Sequence, residues 1–389
     1  MLDRKRYIPA LVIIIILFSF SFRKREIYDE SIDWQILLRY IFLTIVTVIS
    51  LAKHIKKAPK KIFSYIGLFY AFAFISALWS PNLLISFAYL FGVILFMVFI
   101  WTQLLIVKRD SLIYPDSIII SFFFASIIIQ LVVYVGIVLI PDYVIWKDGF
   151  LSFRLGGDLI HANLLGAVAA FCIGFLLTFR EYPLRKIKRI SLLGLSSLTI
   201  ILTQSRGALI ATIFALIYYM IKQKYYAKLL GIGVFVVIVM FFYLDKIYEV
   251  FARGQDIFLL TGRVYIWSLL FDDLSNIQDM IFGKGYAATR SGIVVTRFFT
   301  ATHAHNLFIS IFYQLGFIGS LINFMLIYRY CKMAKYNLMN SEFYLFNVIF
   351  LLIYGIVANS YFQMQLGYVS MMMIILFLTL SYTTFSLRK

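Results

Sequence analysis

Long apolar segments alternate with short polar ones along the whole chain. The segments are 15 to 25 residues long, which is close to what an α-helix needs to cross roughly 30 Å of hydrocarbon. Runs such as Leu11–Leu17 and Ser117–Ile129 lack the apolar–polar alternation of a membrane β-strand. Since helices satisfy their backbone hydrogen bonds within one segment, the pattern predicts an all-α polytopic membrane protein with about 12 transmembrane helices.

The apolar segments give approximate bounds for these spans. The first six are Tyr7–Phe22, Trp34–Ala52, Ile62–Trp79, Leu83–Val107, Asp116–Ile140 and Leu159–Phe179. The other six are Ile190–Gln204, Gly207–Ile221, Lys228–Leu244, His305–Tyr328, Phe343–Asn359 and Leu366–Phe385. The seventh and eighth are short, so we interpret them as one helical hairpin. The first lacks a small-residue cleavage site and is interpreted as an uncleaved anchor.

Composition and charge agree with a membrane protein. The chain is 62% hydrophobic and 14% charged, whereas soluble domains are about half apolar and a quarter charged. With the predicted spans, most of the 36 Lys and Arg lie on the side of the N-terminus, and most acidic residues lie opposite. This asymmetry predicts that both termini are cytoplasmic, with the protein in an inner membrane. The net charge of +18 then indicates anionic lipid head groups as partner, not nucleic acid.

The predicted topology divides the chain into three parts. Residues 1–244 form spans 1 to 9, residues 245–304 form an extracytoplasmic loop, and residues 305–389 form spans 10 to 12. Apolar side chains recur at helical spacing twice in the loop: at Ile247, Val250, Phe251 and Phe258, and at Val264, Trp267, Phe271 and Leu274. Each group predicts an amphipathic helix on the bilayer surface. Thr261 is the predicted N-cap of the second.

Cations, histidines and asparagines gather at four places on the predicted outer face. They are Arg154 with His161 and Asn163, then Arg206, then Arg263, and finally His303, His305 and Asn306. An arginine in the first turn of a helix favours phosphate, because free amides and the helix dipole add to its charge. Taken singly, Arg263 equally fits an interfacial residue that binds lipid phosphate, Arg206 fits a snorkelling residue, and the histidines fit structural roles. Their convergence on one face favours a chemical site.

Other chemical signatures are missing from the sequence. It contains no GxxxxGK[ST], CxxC or HExxH motif, so we predict neither a metal nor a cofactor. The adjacent Asp272 and Asp273 are interpreted as the water-facing side of an amphipathic helix. Arg39 is the one charged residue well inside a predicted span. This argues against ion-coupled transport, which places ionisable residues in spans, but leaves a facilitator open.

In these four places the chain resembles the O-antigen ligase and O-antigen polymerase superfamily. The resemblance covers about residues 154–319 and rests on an ordered set of short motifs. These are Arg154, Gly157, His161 and Asn163; Ser205-Arg206-Gly207; Gly262-Arg263 with Trp267; Gly283 and Gly285; and His303, His305 and Asn306 with Gly316. The family's large outer loop can be longer than the loop of this chain.

The resemblance implies a membrane-embedded, metal-independent, inverting glycosyltransferase that acts outside the cytoplasmic membrane. Its donor is a glycan on undecaprenyl diphosphate, and its acceptor is a glycan or a lipid. Arg206 and Arg263 match the family's diphosphate-binding positions, and His305 matches its essential histidine, which either takes a proton or orients the acceptor. Arg154, His161, Asn163, His303 and Asn306 are the expected substrate-binding residues. We favour polymerisation of O-antigen, capsule or exopolysaccharide repeats.

Two alternatives stay open beside the polymerase. A ligase would move the finished chain to lipid A core or another acceptor. A flippase for lipid-linked glycans belongs to a different class, and it would need a continuous polar path through the helices. The sugars, the linkage and the oligomeric state are not determined by the sequence.

Overall fold

A computed structural model describes most of the chain. The described ranges are 34–54, 64–106, 115–147, 153–179, 184–231, 233–234, 263–291, 294–296, 299–301, 304–337, 340–358 and 366–386, with isolated residues at 12, 15, 16, 19 and 22. Some predictions fall outside them. These are most of the spans Tyr7–Phe22 and Lys228–Leu244, the loop helix around Ile247, and the residues Thr261, Gly262 and His303.

α-Helices dominate the described residues. They are α1 (Trp34–His54), α2 (Ser64–Ser76), α3 (Leu83–Ile106), α4 (Pro115–Leu139), α5 (Pro141–Val144), α6 (Ala162–Thr178), α7 (Lys186–Leu202), α8 (Arg206–Lys222), α9 (Arg263–Asp273), α10 (Ile277–Phe282), α11 (Leu307–Tyr336), α12 (Ser341–Val357) and α13 (Tyr368–Ser386). By length and composition, Leu83–Leu104, Asp116–Leu139 and Leu307–Tyr336 are long and apolar enough to cross a membrane, and several shorter helices are apolar. The predominantly helical membrane architecture is therefore confirmed.

Two short antiparallel hairpins accompany the helices and are not predicted by the sequence pattern. β1 (Ile145–Trp146) pairs with β2 (Arg154–Leu155), so that Trp146 lies opposite Arg154. β3 (Val294–Thr296) pairs with β4 (Phe299–Ala301). Strands of two or three residues are too short to produce a recognisable alternation in the sequence.

The C-terminal helix α13 lies in the interior of the bundle. Every side chain from Tyr368 to Leu380 is buried. The Tyr368 ring stacks on Phe122 of α4 at a centroid distance of 4.8 Å, and Phe122 meets the edge of Phe171 of α6 at 4.7 Å. A helix that is largely apolar all round is typical of such a position, and aromatic contacts of this geometry add to packing.

Helices α7 and α8 are joined at the predicted break, and a close approach holds the turn between them against α6. The turn between them passes through Gln204, whose φ is +47°. Gly166 of α6 faces this turn, and a Cβ built there would lie 2.9 Å from the Ala208 side chain and 3.0 Å from the Ser205 side chain. Small residues of this kind let helices in membranes approach closely.

Residues 283–287 form a glycine-rich segment, here called the clasp, which joins the predicted outer loop to α11. The helix is broken at Gly316, where φ is +65°. The carbonyls of Tyr313 and Gln314 accept hydrogen bonds from the clasp amides of Lys284 and Gly285, both at 2.9 Å. The clasp therefore meets α11 roughly 10 Å along the axis from its start and replaces part of its backbone bonding.

The clasp is also attached to the region between α2 and α3. The Trp79 indole N–H donates to the Gly283 carbonyl at 3.0 Å, and the Ser86 hydroxyl donates to the Tyr286 carbonyl at 2.6 Å. Lys284 forms an ion pair with Asp279 of α10 at 2.7 Å. These contacts fix the clasp to α3, to the turn before it and to α11, at one end of the bundle.

The predicted loop helix α9 forms, but its buried face differs from the prediction. Ile266, Leu270 and Leu274 are buried in a cluster with Ala304 and Tyr313, whereas Val264 and Phe271 are exposed. The helix buries this face against the start of α11, and of the four predicted apolar residues only Leu274 is fully buried there.

The acidic end of α9 also differs from the prediction. Asp273 accepts a hydrogen bond from the Tyr313 hydroxyl at 2.6 Å, and it lies 3.8 Å from the Lys284 ammonium. One of the two adjacent aspartates therefore links α9 to α11 and to the clasp, rather than simply facing water.

Candidate functional site

Asn163 lies at the centre of a hydrogen-bond network at one end of the bundle. Its side-chain oxygen accepts from the Arg154 guanidinium at 3.2 Å and from the Ser205 hydroxyl at 3.0 Å. Its main-chain carbonyl accepts from the Tyr354 hydroxyl at 3.0 Å. One residue therefore joins β2, the start of α6, the α7–α8 turn and the last turn of α12.

Arg154 holds the turn that carries Arg206. Its Nε donates to the Thr203 carbonyl at 2.8 Å, and the residue is 9% exposed. From the same turn, the side-chain amide of Gln204 donates to the Phe153 carbonyl at 2.8 Å. Arg206 follows as the first residue of α8 and is partly exposed. The segment that contains β2 thus fixes the turn from one side, while Asn163 fixes it from the other.

His161 is the N-cap of α6 and faces an aromatic ring. Its Nδ1 accepts from the Asn163 amide at 3.1 Å, so the neutral imidazole carries its proton on Nε2. The His161 and Trp146 rings are nearly perpendicular with centroids 5.7 Å apart, and the Arg154 guanidinium lies 5.4 Å from the centroid of the same indole. Trp146 therefore brings an imidazole and a guanidinium to one aromatic surface, where a cation is favoured.

Arg263 meets the C-terminal end of α12. Its Nη1 donates to the Val357 carbonyl at 2.8 Å, a favourable position because the last carbonyls of a helix lack intrahelical partners and carry the negative end of the dipole. Gly207, next to Arg206, approaches the same residue so closely that a Cβ on it would overlap the Val357 side chain. One helix end therefore binds Arg263 directly and also lies against the residue that follows Arg206.

Burial affects the electrostatics of Arg263. Desolvation lowers the pKa of its guanidinium, while the nearby Tyr354 opposes this shift. An arginine nevertheless stays protonated in proteins, and a desolvated guanidinium interacts more strongly with an anion than a hydrated one. Its bond to Val357 uses one N–H of Nη1, whereas a guanidinium has five N–H donors in all. The side chain can therefore bind an anion while it stays attached to α12.

His305 occupies a constrained backbone position just before α11. Its φ is +50°. A non-glycine residue in this backbone region costs about 1–3 kcal/mol, and it keeps this conformation only where the surrounding structure holds it. Asn306 is the N-cap, and its side-chain oxygen accepts from the amides of Phe308 and Ile309 at 2.9 and 3.1 Å. Its side-chain amide donates to the Ile356 carbonyl at 3.0 Å. The residue that follows His305 is thus bound to α12.

Trp267 binds the residue that precedes His305. Its indole N–H donates to the Ala304 carbonyl at 2.8 Å, and Ala304 is fully buried. Trp267 lies four residues after Arg263 on α9, and residues at this spacing share one face of a helix. One helix therefore contacts both the arginine side and the histidine side of the site.

The structure brings most of the predicted site residues to one end of the bundle, in elements joined by the contacts above. They are Arg154, His161, Asn163, Arg206, Arg263, His305 and Asn306. His303 lies outside the described residues. In the part of the chain that the structure describes, no group of three His, Cys, Asp or Glu side chains is arranged to hold a metal ion.

Two residues of the site are not assigned by sequence reasoning. Tyr354 has no distinguishing signal, because one tyrosine in an apolar helix resembles any other. Trp267 stands out in the sequence only as an aromatic residue after Arg263, and its bond to Ala304 depends on how the loop folds back on α11. Both residues act through contacts between segments that are distant in the chain.

One part of the chain matches a known protein family. Residues 191–324 match the family model described as O-antigen ligase, which agrees with the superfamily indicated by the sequence motifs. No curated protein matches the chain. The matched region contains Arg206, Arg263 and His305, while Arg154 and Asn163 lie before it and reach it through the network around the α7–α8 turn.

Proposed function

We propose that this chain, whose residues 191–324 match the O-antigen ligase family model, transfers a glycan from undecaprenyl diphosphate to an acceptor hydroxyl outside the cytoplasmic membrane. The observation that carries the proposal is that Arg263 binds the end of α12, which Gly207, the residue next to Arg206, also approaches closely, beside the segment that holds His305. Two guanidinium groups suit a diphosphate, because each offers a planar fork of donors.

The proposed chemistry is a single displacement with inversion. The acceptor oxygen forms a bond to the anomeric carbon while the bond from that carbon to the diphosphate oxygen breaks, and undecaprenyl diphosphate leaves with the electron pair. Arg206 and Arg263 stabilise the negative charge that develops on the phosphate. His305 lies on the acceptor side, where it either takes the hydroxyl proton or orients the hydroxyl.

We favour polymerisation, in which the acceptor is the next lipid-linked repeat unit. The ligase is the second candidate, supported by the description of the matched family as O-antigen ligase. Purified protein incubated with a defined undecaprenyl-diphosphate repeat unit separates the two. A ladder formed from the donor alone indicates a polymerase, and a single product that requires a lipid acceptor indicates a ligase. Movement of donor across liposomes without any product would instead support the flippase.

The outer position of the site has its own test. Single cysteines at positions 150, 255 and 290 are expected to react with an impermeant thiol reagent in whole cells once any outer barrier is opened. Cysteines at positions 57, 186 and 333 are expected to stay unlabelled. The reverse pattern would place the arginines and His305 on the cytoplasmic side and contradict the proposal.

A further inference from the structure

Helix α9 binds two neighbouring segments through one face. Arg263 donates to the Val357 carbonyl at the end of α12, and one turn later Trp267 donates to the Ala304 carbonyl before α11, both at 2.8 Å. Other side chains of α9 pack in the apolar cluster that contains Ala304. The helix is therefore attached to both segments by side chains that share one rigid backbone.

The Trp267 bond acts on the peptide group that leads into His305. The Ala304 carbonyl belongs to the peptide unit whose nitrogen is that of His305, so the indole N–H sets the orientation of this plane. On the other side of His305, the Asn306 side chain binds the Ile356 carbonyl at 3.0 Å. The left-handed backbone of His305 is thus held between two anchors, one on α9 and one on α12.

We propose that Trp267 is a positioning residue, whose indole N–H holds the Ala304–His305 peptide so that the imidazole is placed relative to Arg263 on the same helix. The inference rests on the proposed function, because it assigns His305 to the acceptor and Arg263 to the diphosphate. Trp267 itself touches neither substrate in this assignment. It sets the separation between the two parts of the site.

Two replacements of Trp267 separate the hydrogen bond from packing. Trp267→Phe removes the N–H and part of the ring, while benzothienylalanine at position 267 keeps the bicyclic ring and replaces the N–H with a sulfur atom that cannot donate. The control is Trp79→Phe, since the Trp79 indole also donates to a loop carbonyl, that of Gly283 at 3.0 Å. The clasp keeps its main-chain bonds to α11 in this control.

The measurements are turnover, donor KM and the rate at which diethyl pyrocarbonate modifies His305, read by mass spectrometry. Both Trp267 replacements are expected to lower kcat about ten- to a hundredfold, because small misplacements of a reacting group are costly. Donor KM is expected to stay near the wild-type value, and the His305 modification rate is expected to change. Trp79→Phe is expected to leave kcat and the His305 rate unchanged.

The result that overturns the inference is a benzothienylalanine variant with wild-type kcat and a wild-type His305 modification rate. Trp267 would then contribute only packing. Failure of the proposed function is a separate outcome. If the wild-type protein transfers no glycan, the modification rate of His305 still reports whether Trp267 orients it.

Discussion

Replacing Arg154 by methionine tests how the site is held together. Arg154 is almost fully buried, and its guanidinium donates to the Thr203 carbonyl at 2.8 Å and to the Asn163 side chain at 3.2 Å. Methionine keeps much of the apolar stem but removes both bonds. The turn that carries Arg206 would then lose its attachment to Arg154, while the Gln204 bond to Phe153 and the Ser205 bond to Asn163 remain.

The expected loss in the free energy of unfolding follows from the two hydrogen bonds of Arg154. Hydrogen bonds to charged groups contribute about 1.5–3 kcal/mol each, and removing the buried guanidinium also removes its desolvation cost. We therefore expect a net loss of about 2–4 kcal/mol in the free energy of unfolding. A displacement of the turn on the order of 1 Å would lower turnover about a hundredfold, with a rise in donor KM because Arg206 is assigned to the donor.

Thermal unfolding in detergent and steady-state kinetics measure the two effects. Arg189→Met is the control, since the Arg189 guanidinium donates to the carbonyls of Leu176 and Leu177 at the opposite end of α6. This variant is expected to lose stability while its donor KM stays unchanged. The reasoning is refuted if Arg154→Met keeps wild-type turnover and donor KM, or if Arg189→Met impairs both equally.

Three further variants or conditions give distinct expectations. Tyr354→Phe should lower turnover about tenfold, because it removes the bond to the Asn163 carbonyl. Tyr344→Phe is the control, since Tyr344 lies on the same helix but bonds to α13, and it should leave turnover unchanged. Equal effects of the two variants would contradict a site-specific role of Tyr354. Gly316→Ala should lower the melting temperature and the activity, because the added Cβ would overlap a main-chain carbonyl of α10. Gly194→Ala is the control, and it should leave both unchanged, because a Cβ at Gly194 meets nothing within 4 Å. Turnover should survive EDTA, and loss restored by magnesium or manganese would contradict the assignment of the charge-stabilising role to arginines.

The helices can be predicted because their signal is local. The apolar segments Leu83–Val107 and Asp116–Ile140 correspond to α3 and α4 within one residue at either end, since hydrocarbon thickness sets their length. The break between α7 and α8 is also visible, because Gln204 to Gly207 interrupts the apolar pattern. In contrast, the short strand β2 is too short to show an alternation, and the break of α11 at Gly316 accompanies contacts with the clasp, a distant segment.

The site residues are recognisable by type, but their contacts are not. A cation near a helix end can be inferred from the sequence, as with Arg263. Which carbonyl it binds depends on where α12 ends, and Val357 is 94 residues away. The same reason explains why the sequence does not reveal Tyr354, since its role comes from reaching Asn163 of another helix.

The central claim is that Arg206 and Arg263 bind the donor diphosphate while His305 serves the acceptor. Donor affinity and turnover of Arg206→Lys, Arg263→Lys and His305→Ala test it together. Both lysine variants are expected to lose turnover by about one to two orders of magnitude, because lysine offers a point charge instead of a fork. His305→Ala is expected to lose turnover while its donor affinity stays near wild type. Loss of donor binding in His305→Ala, with full turnover in both lysine variants, would contradict the claim.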